Sequence, residues 1–234
     1  LPAAYLSILK GDDVDHGTTD ISVDVYSDVV CPWCYVGKRR LERALSQLPS
    51  TRAQVTWRPF ELNPTMPNEG IERTAYLEAK FGGVDSFHRL EEQVASAGLS
   101  EGISFAFKKI SKTPNTFMAH RLIWFAGREG RQDVVVDALF KAYFEEGADI
   151  GSRSVLARLA ESAGLDGARY LETDEGVAEV KVEESAGHRL GIRAVPYFVL
   201  NNGHGISGAQ PVEVFVRAIG TMRVRQYEDL PSRK

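Results

Sequence analysis

The chain reads as an α/β fold in which a β-α-β half and a β-β-α half flank a large all-helical insertion. Three stretches predict it. An apolar, β-branched run from Ile21 to Val30 gives way to helical spacing at Pro32, and a second strand follows at Gln54–Arg58. Beyond residue 63 the apolar residues recur three and four apart for about 130 positions, broken only by Gly, Pro or Ser-Asp signals. Strand character returns at Tyr197–Leu200, where Asn201-Asn202-Gly203 is a turn signal and His204–Ser207 can run back as the antiparallel partner.

Taken in order, residues 1–20 show no sustained period and read as a flexible arm. Ile21, Val23 and Val25 alternate with Ser22, Asp24 and Tyr26, which marks a half-buried strand, and Val29 and Val30 carry it on to Cys31. The helix from Pro32 to about Leu48 should bury Val36, Leu41, Ala44, Leu45 and Leu48 and expose Lys38, Arg39, Glu42 and Arg43. A strand-helix-strand order implies a right-handed crossover and a parallel pair. Pro59, Pro64 and Pro67 make the next segment a stiff loop. Helical segments follow near 71–81, 85–97, 115–129, 132–145, 152–163 and 174–190, with Asn115, Ser152 and Asp174 as N-caps. A last helix begins at Gln210-Pro211 and turns Val214, Phe215, Ala218 and Ile219 inward. The order is that of a thioredoxin fold interrupted in its middle. Residues 21–62 and 188–222 form the thioredoxin-like domain, 63–187 the inserted helical domain and 223–234 a tail.

Composition narrows the function classes. With 234 residues, 43% of them hydrophobic, the chain can bury a full core. A net charge of −4 leaves no basic footprint, so no nucleic-acid partner is expected. No apolar run reaches the length of a membrane span, and Leu1–Lys10 lacks the pattern of a signal peptide. A cytoplasmic setting without membrane association is the resulting expectation.

Both cysteines of the chain, Cys31 and Cys34, fall in one Cys-Pro-Trp-Cys motif, so they are not the staples of a disulfide scaffold. Cys31 occupies the cap of the new helix, where unpaired N–H groups and the macrodipole stabilise a sulfur anion. Pro32 suits the first helical position because its missing N–H would have no intrahelical partner there. Cys34, one turn on, can reach back. Attack by the first sulfur on a disulfide, followed by intramolecular resolution by the second, is the exchange cycle this spacing permits. Trp33, between them, can tune access to the sulfurs or simply cover the helix end. A zinc half-site would need two further ligands, and the scattered His88, His120, His188 and His204 suggest no pair, so no metal is expected. His120 reads more simply as a helix-packing residue than as part of a cleft, and Trp57 as core.

Several motifs together resemble the DsbA-like branch of the thioredoxin superfamily, and within it most closely the FrnE-like group. They are Asp28-Val29-Val30-Cys31-Pro32-Trp33-Cys34, Arg58-Pro59-Phe60-Glu61-Leu62-Asn63-Pro64, Asn115-Thr116-Phe117-Met118-Ala119-His120-Arg121-Leu122, Gly191-Ile192-Arg193-Ala194-Val195-Pro196 and Ser207-Gly208-Ala209-Gln210-Pro211. The resemblance spans about residues 21–220. It implies a cis peptide bond before Pro196 lying against the thiols, with Val195 offering its backbone to an extended substrate by strand addition. Some FrnE-like proteins carry a second cysteine pair; this chain does not, so electrons must pass to or from another molecule.

The expected activity is thiol–disulfide exchange on protein or peptide substrates, with Cys31 as nucleophile, Cys34 resolving and Pro32, Trp33, Val195 and Pro196 forming the substrate surface. No cofactor is expected. The partners are disulfide or dithiol substrates and glutathione or a thioredoxin-like protein, and a homodimer is compatible with the sequence. Two other classes share the pattern: glutathione-dependent isomerases or transferases of the kappa and hydroxychromene-carboxylate type, whose activating position is typically a serine, and a non-catalytic chaperone holding extended chains in the cleft.

Overall fold

The computed structural model describes residues 19–228. In chain order its elements are β1 (Thr19–Ser27), α1 (Pro32–Ser46), β2 (Thr51–Pro59), β3 (Ile71–Glu72), α2 (Arg73–Phe81), α3 (Val84–Leu99), β4 (Lys112–Thr113), α4 (Phe117–Arg128), α5 (Gln132–Phe144), α6 (Arg153–Ser162), α7 (Gly167–Leu171), α8 (Val177–Arg189), β5 (Tyr197–Leu200), β6 (His204–Ser207) and α9 (Val212–Glu228). The main sheet runs β2-β1-β5-β6, with β1 parallel to β2 and antiparallel to β5, and β6 antiparallel to β5. This is the split architecture expected from the sequence: a thioredoxin fold with a helical insertion between its halves.

Alternation on β1 sends Val23 and Val25 into the core, where they are wholly enclosed along with Val36 and Ala44 of α1, Phe198 and Leu200 of β5, and Phe215 and Ile219 of α9. The helical side adds Leu122, Leu139, Phe140, Tyr143, Phe144 and Leu156 to the same continuous core. Tyr35 on α1 stacks on Phe140 of α5 with centroids 5.1 Å apart, and its hydroxyl donates to Glu145 at 2.7 Å. On β2, the Trp57 indole N–H donates to Asp133 at 3.1 Å and the Trp57 backbone N–H to Gln132 at 2.9 Å. These contacts fix α5 against both α1, which carries Cys34, and β2.

Several expectations need correction. The first strand starts at Thr19, inside the stretch assigned to the arm, and it stops at Ser27 rather than running on through Val29 and Val30. Those two residues lie in a turn closed by the Cys31 N–H donating to the Asp28 carbonyl at 3.0 Å. The arm itself, 1–18, lies outside the described residues. Lys38 is buried, not exposed, because Asp133 and Asp137 of α5 join Glu42 around its ammonium. The helix expected from Asp174 begins at Val177, capped by Gly176 at φ 80°. Asn115 is not itself a cap: Thr116 holds that place, while the Asn115 carboxamide accepts from Phe117 N–H at 2.9 Å and donates to the Met66 carbonyl at 2.7 Å. In α9 Val214 and Ala218 are only half-buried, and the helix continues to Glu228 through part of the expected tail. Among the described residues no helix is long and apolar enough to cross a membrane.

Candidate active site

β1 ends beneath the turn 28–31, and the turn hands directly to α1. Cys31 stands at the helix cap with extended dihedrals, φ −92° and ψ 111°, and Pro32 follows in the first turn. The turn therefore leaves the Cys31 side chain free of any capping bond. Its sulfur lies 3.6 Å from the Val195 carbonyl oxygen, within hydrogen-bond reach of a thiol.

The two sulfurs occupy different surroundings. Cys34 is fully enclosed. Burial, reinforced by the neighbouring Cys31 sulfur, holds the Cys34 thiol well above the usual range. Cys31, though only 6% exposed, lines a cavity of about 380 Å³ together with Pro32 and Trp33. The indole of Trp33 is 38% exposed at its mouth.

The Val195–Pro196 peptide is cis, and Pro196 is buried beside α1. Gly37 makes that approach feasible: a Cβ there would stand 3.1 Å from Pro196 Cγ and 3.1 Å from Phe198 Cζ. So the six residues singled out in the sequence, Cys31, Pro32, Trp33, Cys34, Val195 and Pro196, converge where the end of β1, the start of α1 and the start of β5 meet.

Behind the same turn is a polar cluster that sequence reasoning did not find. Asp28 is completely buried; its carboxylate accepts from Leu62 N–H at 2.7 Å and from Val30 N–H at 3.5 Å. His120 of α4, also buried, places Nε2 3.5 Å from Asp28 Oδ1, in ion-pair range without hydrogen-bond geometry. Glu61 is 8% exposed, and burial pushes its carboxyl up to about 7, helped by Glu184 and Asp28 and opposed by His120. The Glu61 N–H donates to Glu184 of α8 at 2.8 Å. The one local signal was a carboxylate inside an apolar run, Tyr26-Ser27-Asp28-Val29-Val30; a charge there must be buried and satisfied.

Known proteins resemble this chain in sequence and fold. The chain is 30% identical over 203 residues to the uncharacterized protein YwbO of Bacillus subtilis, covering 85% of this chain and 96% of that one. A crystal structure of a probable DsbA oxidoreductase from Streptomyces coelicolor superposes with a TM-score of 0.80 at 31% identity, covering 92% of this chain and 93% of that chain. The structure of a hydroxychromene-carboxylate isomerase shares the fold at a TM-score of 0.67 and 18% identity, over 90% of this chain and all (100%) of that chain. The pattern of the DSBA-like thioredoxin domain matches residues 22–220. With nearly the whole described length covered by that pattern, the chain belongs to the DSBA-like thioredoxin domain family.

Proposed function

We propose that this protein is a thiol–disulfide oxidoreductase of protein or peptide substrates, with Cys31 as nucleophile and Cys34 as the resolving thiol. The observation that carries the reading is the asymmetry of the pair: one sulfur faces a cavity, and its neighbour is enclosed and held protonated behind it. The Cys31 thiolate attacks a substrate disulfide, expels one half as a thiolate and forms a mixed disulfide. Cys34, giving up its proton, then attacks the Cys31 sulfur, closes the intramolecular disulfide and releases the second half. The substrate gains two electrons and the cysteine pair loses them. In the reverse direction the same steps oxidise a substrate dithiol. Val195 presents its backbone to the extended substrate beside Pro196, and Trp33 borders the approach.

In this reading the chain is cytoplasmic, belongs to the FrnE-like group, and exchanges electrons with glutathione or a thioredoxin-like protein. Net direction follows from its reduction potential relative to the compartment. The test combines glutathione-buffer equilibration with trapping. Cys34→Ser should accumulate a mixed disulfide with a substrate peptide, and Cys31→Ser should lose exchange by about a hundredfold or more. A Cys34→Ser protein that traps nothing while turning over a glutathione conjugate would favour the isomerase or transferase class instead.

A further inference from the structure

The cavity in front of Cys31 carries information about substrate that the thiol pair does not. Its far walls are Leu77 of α2 and Phe87 and Val94 of α3, with Phe107 and Phe144 behind. Most of the polar groups in these walls are already engaged; the buried Thr113 hydroxyl, without a hydrogen-bond partner, is the exception. The Arg73 guanidinium donates to Glu91 at 2.8 Å, lies 5.5 Å over the Phe107 ring and reaches the Tyr143 hydroxyl at 3.5 Å; that hydroxyl in turn donates to the Lys112 carbonyl at 3.3 Å. A peptide backbone entering the cavity would strand its own N–H and C=O groups, each at a cost that a hydrocarbon does not bear. The interior therefore selects an apolar group, and its volume of about 380 Å³ is ample for an aromatic ring system.

The rim has the opposite character at one point. Tyr76 donates to the Asn63 side-chain oxygen at 2.6 Å, and the Lys80 ammonium donates to the Tyr76 hydroxyl at 2.6 Å and to Asn63 at 3.3 Å. Among the described residues no carboxylate lies within ion-pair distance of Lys80, and its hydrogen-bond partners there, Tyr76 and Asn63, are neutral. Large exposed apolar side chains, Trp33, Phe81 and Leu90, surround the same opening. An apolar interior ending in a sulfur nucleophile, with a cation at the mouth, is complementary to a flat apolar body that carries an anion.

We propose that this cavity binds small aromatic carboxylates, and that disulfides bearing such groups are a second substrate class for Cys31; the substrate half of the proposal rests on the exchange activity proposed above. The Cys31 thiolate would attack one sulfur of an aryl disulfide, releasing one aryl thiolate. Cys34 would then lose its proton to solvent, attack the Cys31 sulfur and release the second, so that two electrons pass from the cysteine pair to the disulfide.

Two measurements test this separately. Calorimetric titration of the protein with naphthoate, and with neutral naphthamide for comparison, needs no redox chemistry. Saturable naphthoate binding is expected, weakened about tenfold in Leu90→Trp, which fills the mouth. In Lys80→Gln the preference for the acid over the amide should fall about threefold. Both positions are exposed, and thermal melts verify that the variants fold. In single turnovers of the pre-reduced protein, the rate with dithiobis-nitrobenzoate should saturate, and its ratio to the rate with hydroxyethyl disulfide should drop about tenfold in Leu90→Trp. Absence of naphthoate binding, or binding indifferent to both substitutions, overturns the proposal. Naphthoate binding by a protein inert toward every disulfide would uphold the binding site and sink the exchange reading.

Discussion

Cys31 and Asp28 belong to one four-residue turn, yet they face opposite environments. On the Cys31 side is a largely apolar cavity, in whose wall Arg73 is paired with Glu91 and the Tyr143 hydroxyl with the Lys112 carbonyl. On the Asp28 side, three carboxyl groups and an imidazole from four separate segments meet, two of the carboxyls and the imidazole buried. The apolar side can discriminate among arriving groups because it offers few free polar atoms to replace their hydration. The polar side holds the geometry: Asp28 ties the cysteine turn to the 60–62 loop, and Glu184 ties that loop to α8. Selection and positioning are thus divided between two faces of the same turn. Substitutions behind the turn should act on stability first, and substitutions in front of it on substrate preference.

The largest effect expected on this comparison is from Asp28→Ala. It leaves the part-buried Leu62 N–H without its 2.7 Å acceptor and removes the carboxyl group that faces the buried His120 at 3.5 Å. An unsatisfied buried donor costs about 1–3 kcal/mol and a broken buried pair about 3–5 kcal/mol, while relief of Asp28's own desolvation opposes both. A net loss of about 3 kcal/mol in urea denaturation is expected. A loss below about 0.5 kcal/mol would show that the polar side is not what holds the turn.

Glu61→Gln gives a smaller effect of the opposite sign. The folded state keeps the Glu61 proton up to about 7, whereas the unfolded chain loses it near its ordinary value of 4.5. Between those values the folded chain binds more protons, so stability falls as pH rises through the window, and the penalty is complete above it. Glutamine has no proton to lose. The variant should be more stable than the parent by about 2 kcal/mol at about pH 8 and nearly equal to it at about pH 4, seen by thermal melts across that range. A pH-independent difference would detach Glu61 from the cluster.

The sequence revealed the two faces unequally. The cysteine motif was legible because Cys31, Pro32, Trp33 and Cys34 are contiguous, and because helical spacing begins at Pro32. Val195 and Pro196 came from the resemblance alone. The polar side was not legible: Asp28, Glu61, His120 and Glu184 are far apart in the chain, and no local pattern says that they meet. Lys38 was misplaced for the same reason, since its partners Asp133 and Asp137 come from α5, about a hundred residues on. Val29 and Val30 were assigned to a strand because a hydrophobic run has no mark for a backbone turn that a buried carboxylate braces. The two-residue strands β3 and β4 and the five-residue α7 are too short to show a period.

Gly37 offers the smallest and most discriminating test, because it touches neither face. It sits inside α1, where alanine would gain about 1 kcal/mol of helix propensity. Against that gain, the new Cβ would stand 3.1 Å from both Pro196 Cγ and Phe198 Cζ, tighter than ordinary contact. Overpacking a well-filled site costs about 1–3 kcal/mol, and Phe198 is wholly enclosed, so its ring has little freedom to retreat. The balance predicts a net loss of about 1 kcal/mol for Gly37→Ala. Because the shift moves α1 as a unit relative to the start of β5, exchange with large and small disulfides should slow by the same factor. A change in preference among substrates would mean that selection is set by the seat of α1 against Pro196 as well as by the cavity.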